Sequence, residues 1–311
     1  MKLQNPHDTF FKETFGDTEV AKDFLNHYLP NSLMHVVDLH SLEPQKDSFV
    51  DKNLDESFSD LLFKAVIQGE EGYFYFLFEH KSYPSKGIAL QLLKYMIAIW
   101  EAKTQKENNW ELPIIIPLVI YHGRDNWQKV KKLGDMMKGY DHLPEEVQVY
   151  VPNFAYLLYD FSPHSDEEIK GEAILKIYQM VVREIFIPNN QELVQSIMKA
   201  LTFLREIKNK EKGIDYLETM MRYVFSTGKN LTEEDAQQVM KQIETTYPEG
   251  SEVIVTLAER YMEKGKAEGR VEEKMEVAKN LILKGLSTID IMEVTGLEKE
   301  EIDKIKQQML Q

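Results

Sequence analysis

Three residues in the first third of the chain have the types and spacing of a metal-dependent hydrolytic site. Asp60 is followed nineteen residues later by Glu79, and Lys81 completes a Glu-x-Lys sequence. Two carboxylates can share one divalent cation, and a nearby lysine can orient or deprotonate a water and stabilise charge on a phosphate. Oxygen ligands favour Mg²⁺, with Mn²⁺ or Ca²⁺ as alternatives, and the backbone carbonyl of His80 could add a ligand.

A β-hairpin is the element that would bring these residues together. Two strand-like runs, Asp60 to Gln68 and Tyr73 to His80, flank a segment that predicts a turn at Gly69–Gly72. That turn places Asp60 opposite Lys81. Because side chains alternate along a strand, all three residues then share one face, with the two carboxylates as diagonal neighbours ~7–8 Å apart at Cα. The alternative is an exposed cross-strand ion pair without a chemical role.

The wider pattern predicts an α/β region followed by an all-α region. Helices are expected at Phe10–Tyr28 and Gly87–Gln105, with strands at Ile114–Tyr121 and within Tyr150–Tyr159. Pro117 suggests that its strand lies at a sheet edge or carries a bulge. From Glu167 onward the spacing of apolar residues becomes helical. We therefore divide the chain into 1–163, a helical domain 164–250 and C-terminal helices 251–311.

Composition limits the environment in which the chain works. The 311 residues include no cysteine, which excludes thiolate metal sites and disulfides and suits a reducing compartment. The opening run MKLQNPHDTFFKETF lacks the apolar region of a secretory signal. The longest apolar stretch, Leu112 to Tyr121, is too short to span a bilayer. We expect a cytoplasmic protein without a membrane partner.

A local excess of basic residues follows the hydrolytic motif. The formal net charge of −15 opposes DNA binding, but residues 79–138 hold ten Lys and Arg against six Asp and Glu. A lysine-rich solvated surface is the simpler interpretation of this stretch. If the chain binds DNA, the residues expected to contact phosphates are Lys86, Lys94, Arg124, Lys129, Lys131 and Lys132.

Short motifs spread over nearly the whole chain resemble one known family. They are His7–Lys12, Ala21–Leu25, Leu29-Pro30, Ser48–Val50, Ser59–Leu62, Leu77–Ser82 with Pro84, Leu92–Tyr95, Pro113, Pro117, Tyr121–Gly123, Glu263–Arg270, Gly285–Ser287 and Thr295–Leu297. Together they make the chain similar to the recombination-promoting nuclease (Rpn) family, whose members are also described as transposases. The motifs are densest around Glu79.

The resemblance implies a fold and an activity. It implies a PD-(D/E)XK restriction-endonuclease-like core with a mixed sheet, metal-dependent hydrolysis of DNA phosphodiester bonds, and a role in recombination or transposition-like processes. Asp60, Glu79 and Lys81 match the motif Asp, Glu and Lys. We expect Asp60, Glu79 and His80 to hold the metal. Gln91, on the helix after the Glu-x-Lys strand, is a further catalytic candidate.

Some features of the resemblance carry no assigned role. Tyr95 lies one helical turn after Gln91, and Asp8 and Lys12 match the opening motif. A helix N-cap is the simpler interpretation of Asp8. The rival functional class is a catalytically inactive DNA- or protein-binding interaction module of the same fold. Inactive relatives commonly lose one motif residue, whereas this chain has all three.

The C-terminal helices suggest self-association. A long charged helix is expected from Ser251 to Leu283, with apolar residues at three- to four-residue steps except for a polar gap between Tyr261 and Val271. We expect this region to form a homodimer. The alternative is that the long helix packs back on its own chain. The terminal helix pair, Leu286 to Gln308, resembles a small helix-turn-helix, but its second helix is too acidic to suit a major groove.

Overall fold

The computed structural model describes residues 5–45, 59–79, 87–108, 110–125, 127, 132–162, 168–186, 190–227 and 232–309. The chain divides by its contacts into two compact units, Met1–Ser251 and Glu252–Gln311. The N-terminal unit therefore contains both the sheet and the helices that follow it. The predicted division into 1–163, 164–250 and 251–311 stays a prediction. In the described part of the chain, no helix combines the length and apolarity needed to cross a membrane.

Within the described ranges, five strands form one mixed sheet in the order β1-β2-β3-β4-β5. Their bounds are β1 Val37–Pro44, β2 Ser59–Ile67, β3 Glu70–Glu79, β4 Ile114–Tyr121 and β5 Leu157–Asp160. The pairs β1–β2 and β2–β3 are antiparallel, whereas β3–β4 and β4–β5 are parallel. The predicted α/β class with a mixed sheet is confirmed.

Helices make up most of the remaining residues that the structure describes. In the N-terminal unit they are α1 Pro6–Phe15, α2 Thr18–Tyr28, α3 Asn31–Met34, α4 Ile88–Glu107, α5 Glu145–Gln148, α6 Ala173–Glu184, α7 Asn190–Leu204, α8 Lys210–Thr227 and α9 Glu233–Thr246. Three more follow, α10 Ser251–Leu283, α11 Thr288–Thr295 and α12 Lys299–Met309. The predicted long charged helix agrees with α10.

The prediction of one helix over Phe10–Tyr28 is wrong, because the chain breaks there into α1 and α2. Gly16 ends α1 through its N–H bond to the Lys12 carbonyl. Asp17 then caps α2, and its carboxylate accepts a hydrogen bond from the Glu19 N–H at 2.9 Å. The apolar spacing continues across this corner, so periodicity alone joins two helices that the cap residues separate.

Pro117 lies in an inner strand, so its predicted location at the edge of the sheet is corrected. It pairs with Tyr75 on one side of β4. On the other side the pairing with the short strand β5 begins only at Leu118. Pro117 therefore lies at the end of the part of β4 that pairs with β3 alone. A residue without an N–H donor is tolerated there, because one side of the strand has no neighbour to pair with.

The sheet is covered on both faces. One face packs Phe63 and Phe76 against Phe15 and Phe24 of the first two helices, with ring centroids of Phe15 and Phe76 6.2 Å apart. The opposite face packs against α4. The buried residues of that layer include Tyr75, Leu77, Ile88, Leu92, Tyr95, Val119 and Tyr121. Burial on both sides explains why β3 is an almost continuous apolar run.

The C-terminal unit has its own small core. Ala278 of α10 is buried with Ile291 of α11 and with Ile302 and Ile305 of α12. The Ser287 hydroxyl and the Asp290 carboxylate form a capping box that starts α11. Gly296 ends the same helix with a φ of 65°, which glycine adopts without steric cost.

Candidate active site

The hairpin that carries Asp60 has a different turn and register from those predicted. Ile67 pairs with Glu70, so the turn is the two residues Gln68 and Gly69, whose φ angles are 55° and 86°. Asp60 pairs with Leu77 and not with Lys81. The predicted turn at Gly69–Gly72 is therefore wrong, because a tight two-residue turn with both φ angles positive matches the twist of the strands.

The change of register preserves the predicted face. Asp60 pairs four residues earlier along β3 than predicted, and four is an even number. Because side chains alternate with a period of two, position 60 still lies on the same face as Tyr75 and Leu77. This is the face that α4 covers. Strand alternation puts position 79 on that face as well.

Asp60 lies half-buried at the start of β2. Burial raises the pKa of its carboxyl group, and the hydrogen bond from Tyr75 and the charge of Lys12 act against this increase. The Tyr75 hydroxyl donates to Asp60 Oδ2 at 2.9 Å. The pKa of Tyr75 is well above its usual value, first because of burial and then because of the Asp60 charge. Tyr75 therefore remains a neutral donor to the carboxylate.

Several of the predicted site residues lie wholly or partly outside the described part of the chain. Glu79 is the last residue of β3 and pairs with Tyr121 of β4, but its side chain is not described. His80, Lys81 and Lys86 follow in the undescribed segment 80–86, and Lys129 and Lys131 lie in 128–131. Among the described residues, no group of three or more His, Asp or Glu side chains could hold a metal ion.

Helix α4 begins shortly after that segment and brings Gln91 and Tyr95 to the sheet. The rings of Tyr95 and Tyr75 stack with centroids 5.2 Å apart, so α4 supports the tyrosine that binds Asp60. Gln91 lies one turn nearer the start of α4. Its side-chain Nε2 is buried and has no hydrogen-bond partner among the described residues.

An ion-pair cluster holds the C-terminal end of α4 against the hairpin. Glu71 on β3 accepts from Lys103 of α4, from Lys64 of β2 at 2.6 Å and from the Tyr73 hydroxyl at 2.9 Å. Partial burial raises the pKa of Glu71, but these hydrogen bonds outweigh it and lower the pKa to about 2. The cluster lies at the turn end of the hairpin, away from Asp60.

Two histidines from opposite parts of the sequence meet beyond the end of β4. His122 is fully buried, and its ring lies 5.3 Å from the ring of His7 at the start of α1. His7 Nδ1 and the Tyr223 hydroxyl are 2.9 Å apart, and the ring of Phe186 stacks on His122. Both histidines belong to motifs of the sequence, His7–Lys12 and Tyr121–Gly123, but their proximity depends on the tertiary fold.

The described basic residues differ in their surroundings. Lys94 is exposed on α4, and Arg124 is exposed after β4 with its guanidinium 5.9 Å from the Phe186 ring. Lys132 Nζ instead lies 3.7 Å from Asp135 and 3.4 Å from Asp141. Of these three, Lys94 and Arg124 present the more available cations to a phosphate.

The hairpin, the half-buried carboxylate and the covering helix define an α/β protein with a candidate acidic site at one end of β2 and β3. The family model described as "Putative transposase, YhgA-like" matches residues 5–215. The chain belongs to this YhgA-like transposase family.

Curated relatives cover nearly the full length of the chain. Recombination-promoting nucleases RpnA and RpnC of Escherichia coli (strain K12) are 27% and 28% identical to it, each over 96% of both chains. A third protein of the same strain, the inactive recombination-promoting nuclease-like protein RpnE, is 25% identical over 96% of both chains. No solved structure matches the chain.

Proposed function

We propose that this chain is a metal-dependent DNA endonuclease with a PD-(D/E)XK core, acting in the cytoplasm in recombination or transposition-like processes. The observation that carries the proposal is the half-buried carboxylate of Asp60, paired two residues from the end of β3 where Glu79-His80-Lys81 begins. The names of the relatives RpnA and RpnC support a nuclease role.

The described part of the site suits a divalent cation. Removing a carboxylate from water costs free energy, which a bound cation offsets. Asp60 uses Oδ2 to accept from Tyr75, and the pair fixes the orientation of the carboxylate. Asp60, Glu79 and the His80 carbonyl would hold the cation, with Mg²⁺ preferred. When bound, the cation would polarise a phosphoryl oxygen and lower the pKa of a coordinated water.

The protein's own side chains have separate roles in this proposal. Lys81 would orient or deprotonate the attacking water and balance the charge that develops on the phosphate. The buried Nε2 of Gln91 would donate a hydrogen bond to an oxygen of the substrate or of the bound water. Exposed cations, Lys94 and Arg124 among them, would hold the DNA backbone.

A plasmid cleavage assay tests the proposal. The wild-type chain should nick supercoiled DNA with Mg²⁺ or Mn²⁺, while Asp60→Asn and Glu79→Gln should each lower the rate by at least about a hundredfold, since each removes a charged ligand. Glu70→Gln is the matched control, because it alters an exposed carboxylate at the opposite end of β3. Near wild-type nicking by Asp60→Asn would refute the site.

The rival function makes a different prediction in the same experiment. A catalytically inactive interaction module would bind DNA or protein without cleaving DNA under any of Mg²⁺, Mn²⁺ and Ca²⁺, as the name of the relative RpnE allows. We favour the enzyme because Asp60, Glu79 and Lys81 are all present.

We also propose that the C-terminal helices join two copies of the chain. Val271 and Met275 lie one turn apart on α10 and keep 46% and 37% of their surfaces exposed. Ala278 and Ile282, by contrast, pack within their own unit. A homodimer would cover the exposed pair and bring two active sites to one duplex.

A further inference from the structure

A cleft with a volume of about 740 Å³, which we call the α2 cleft, lies in the N-terminal unit. Its walls come from α2, β1, the start of α6 and the connection between α7 and α8. Small-molecule sites in proteins are usually concave, measure about 300–1,000 Å³, and combine apolar walls with a few polar groups. The α2 cleft therefore has the size of a ligand site.

The walls of the α2 cleft are apolar, and hydrogen bonds hold them together. Asp23 Oδ2 of α2 accepts a hydrogen bond at 2.7 Å from the N–H of Glu172, the residue before α6. Lys212 of α8 pairs with Asp17 at the start of α2. The apolar residues that line the cleft are Val20, Leu39, Ala173, Ile174, Leu175 and Ile207. A ligand would therefore meet a preformed apolar surface.

The charged groups that line the α2 cleft are mainly acidic once the ion pairs are set aside. Lys22 and Lys212 each pair with an acidic residue at the start of α2. Glu172 and Glu206 are exposed, and among the described residues neither carboxylate forms an ion pair or a side-chain hydrogen bond. Lys208 is exposed without such a partner as well. Two such carboxylates against one such lysine, in a chain of net charge −15, favour a positively charged ligand.

The α2 cleft is separate from the candidate active site. Leu39 follows Asp38, which pairs with Val66 of β2. Val66 lies six residues from Asp60 along the same strand, a distance of about 20 Å. Helix α2 also packs on the sheet face opposite to the one on which Asp60 lies. A ligand in this cleft would therefore not occupy the place of the DNA bond that is cleaved.

We propose that the α2 cleft binds a small organic cation, an amine whose ammonium group is attached to an apolar body. The apolar body would pack on the walls of the cleft, and the ammonium group would lie between Glu172 and Glu206. The inference goes beyond the proposed function and does not depend on it. The opposite charge preference, for an apolar anion held by Lys208, is the outcome that would contradict it.

NMR titration of the full chain with two matched probes tests the charge preference. Tryptamine carries an ammonium group on an indole ring, whereas indole-3-propionate carries a carboxylate on the same ring. A ligand of this size should bind with a Kd of about 1–5 mM. Tryptamine should bind at least about fivefold more tightly than indole-3-propionate, because the acidic rim repels the carboxylate. Tighter or equal binding of indole-3-propionate, or no saturable binding of tryptamine up to about 20 mM, would overturn the proposal.

Variants of the cleft test where the amine binds. The double variant Glu172→Gln with Glu206→Gln should weaken tryptamine binding at least about fivefold and should not weaken binding of indole-3-propionate. Glu145→Gln with Glu146→Gln is the matched control, since it removes the same charge from exposed residues of α5. An equal effect of the two double variants would reject the site.

Two single variants complete the test. Ala173→Phe fills the cleft without changing its charge and should weaken both probes, with circular dichroism to check that the variant is folded. Asp60→Asn should leave the Kd of tryptamine unchanged. Full binding by folded Ala173→Phe, or a loss in Asp60→Asn that places the amine among the carboxylates of the candidate active site, would overturn the proposal. The plasmid cleavage assay decides the nuclease proposal independently of either result.

Discussion

The ion-pair cluster around Glu71 makes a quantitative prediction about stability. A carboxylate whose pKa falls from 4.5 to about 2 on folding stabilises the folded state by at most ~3 kcal/mol at neutral pH. The Glu71 side chain keeps 31% of its surface exposed, and water screens the pair. We therefore expect Glu71→Gln to lower the free energy of unfolding by ~1–2 kcal/mol at pH 7.

The pH dependence of this loss follows from the direction of the pKa change. The pKa of Glu71 is lower in the folded state, so the unfolded chain takes up the proton first as the pH falls. The stabilisation is complete above about pH 5, decreases as the pH falls towards 2, and is less than half its full size near about pH 3. Glutamine does not titrate, so the difference between wild type and variant should shrink accordingly.

Urea unfolding at several pH values measures the difference directly. At pH 7 the loss corresponds to a melting temperature about 2–8 °C lower for a unit of this size. Glu70→Gln removes the same charge from the neighbouring exposed residue and should change stability by less than ~0.5 kcal/mol. A loss that stays constant from pH 7 to pH 3, or that Glu70→Gln reproduces, would refute the reasoning.

Two further predictions concern the site and the C-terminal unit. Tyr75→Phe removes the hydrogen-bond donor to Asp60, so it should raise the pKa of that carboxyl group further and lower the free energy of unfolding by ~1 kcal/mol. NMR titration of the carboxyl groups in the metal-free protein measures the pKa, and urea unfolding measures the stability. An unchanged pKa of Asp60 in the variant would contradict this prediction. Replacing both Val271 and Met275 by Glu should convert a dimeric chain into a monomer in light scattering, and a wild-type chain that is already monomeric at tens of micromolar would discard the dimer.

The hairpin illustrates what the sequence can and cannot predict. The strands, and the face of the sheet on which Asp60 lies, follow from the alternation of side chains along a strand. An error in the register of an even number of residues leaves that face unchanged. The register itself was mispredicted because Gln68 is not a residue typical of a turn with positive φ, whereas Gly72 looks like one. Gly72 is instead within β3, where a Cβ atom would lie 2.5 Å from Ile67 Cδ1.

Other features depend on contacts that no local pattern reveals. The strand β1 was missed because only Val37 and Leu42 are buried in it and its register shifts between Asp38 and Glu43. The proximity of His7 to His122 arises only when α1 packs against the sheet. The motifs identify these residues in the sequence, but only the tertiary structure shows which residues lie next to them in space.

The contacts between α4 and β3 also fix the direction in which the helix crosses the sheet. Glu71 and Tyr75 are four residues apart on β3, about 13 Å along a strand. Their partners on α4, Lys103 and Tyr95, are eight residues apart, about 12 Å along a helix. The distances agree and the order is reversed, so α4 runs antiparallel to β3 across this face.

This alignment bears on the role of Gln91. One turn of α4 before Tyr95 covers about 6 Å, which corresponds to two residues of β3. Gln91 therefore lies at the level of Leu77, the residue that pairs with Asp60. The Nε2 atom of Gln91 is buried and has no hydrogen-bond partner among the described residues. The position of Gln91 along α4 therefore places it level with the half-buried carboxylate of Asp60. The alignment supports the proposal that Gln91 belongs to the candidate active site, on physical grounds that are independent of the motif.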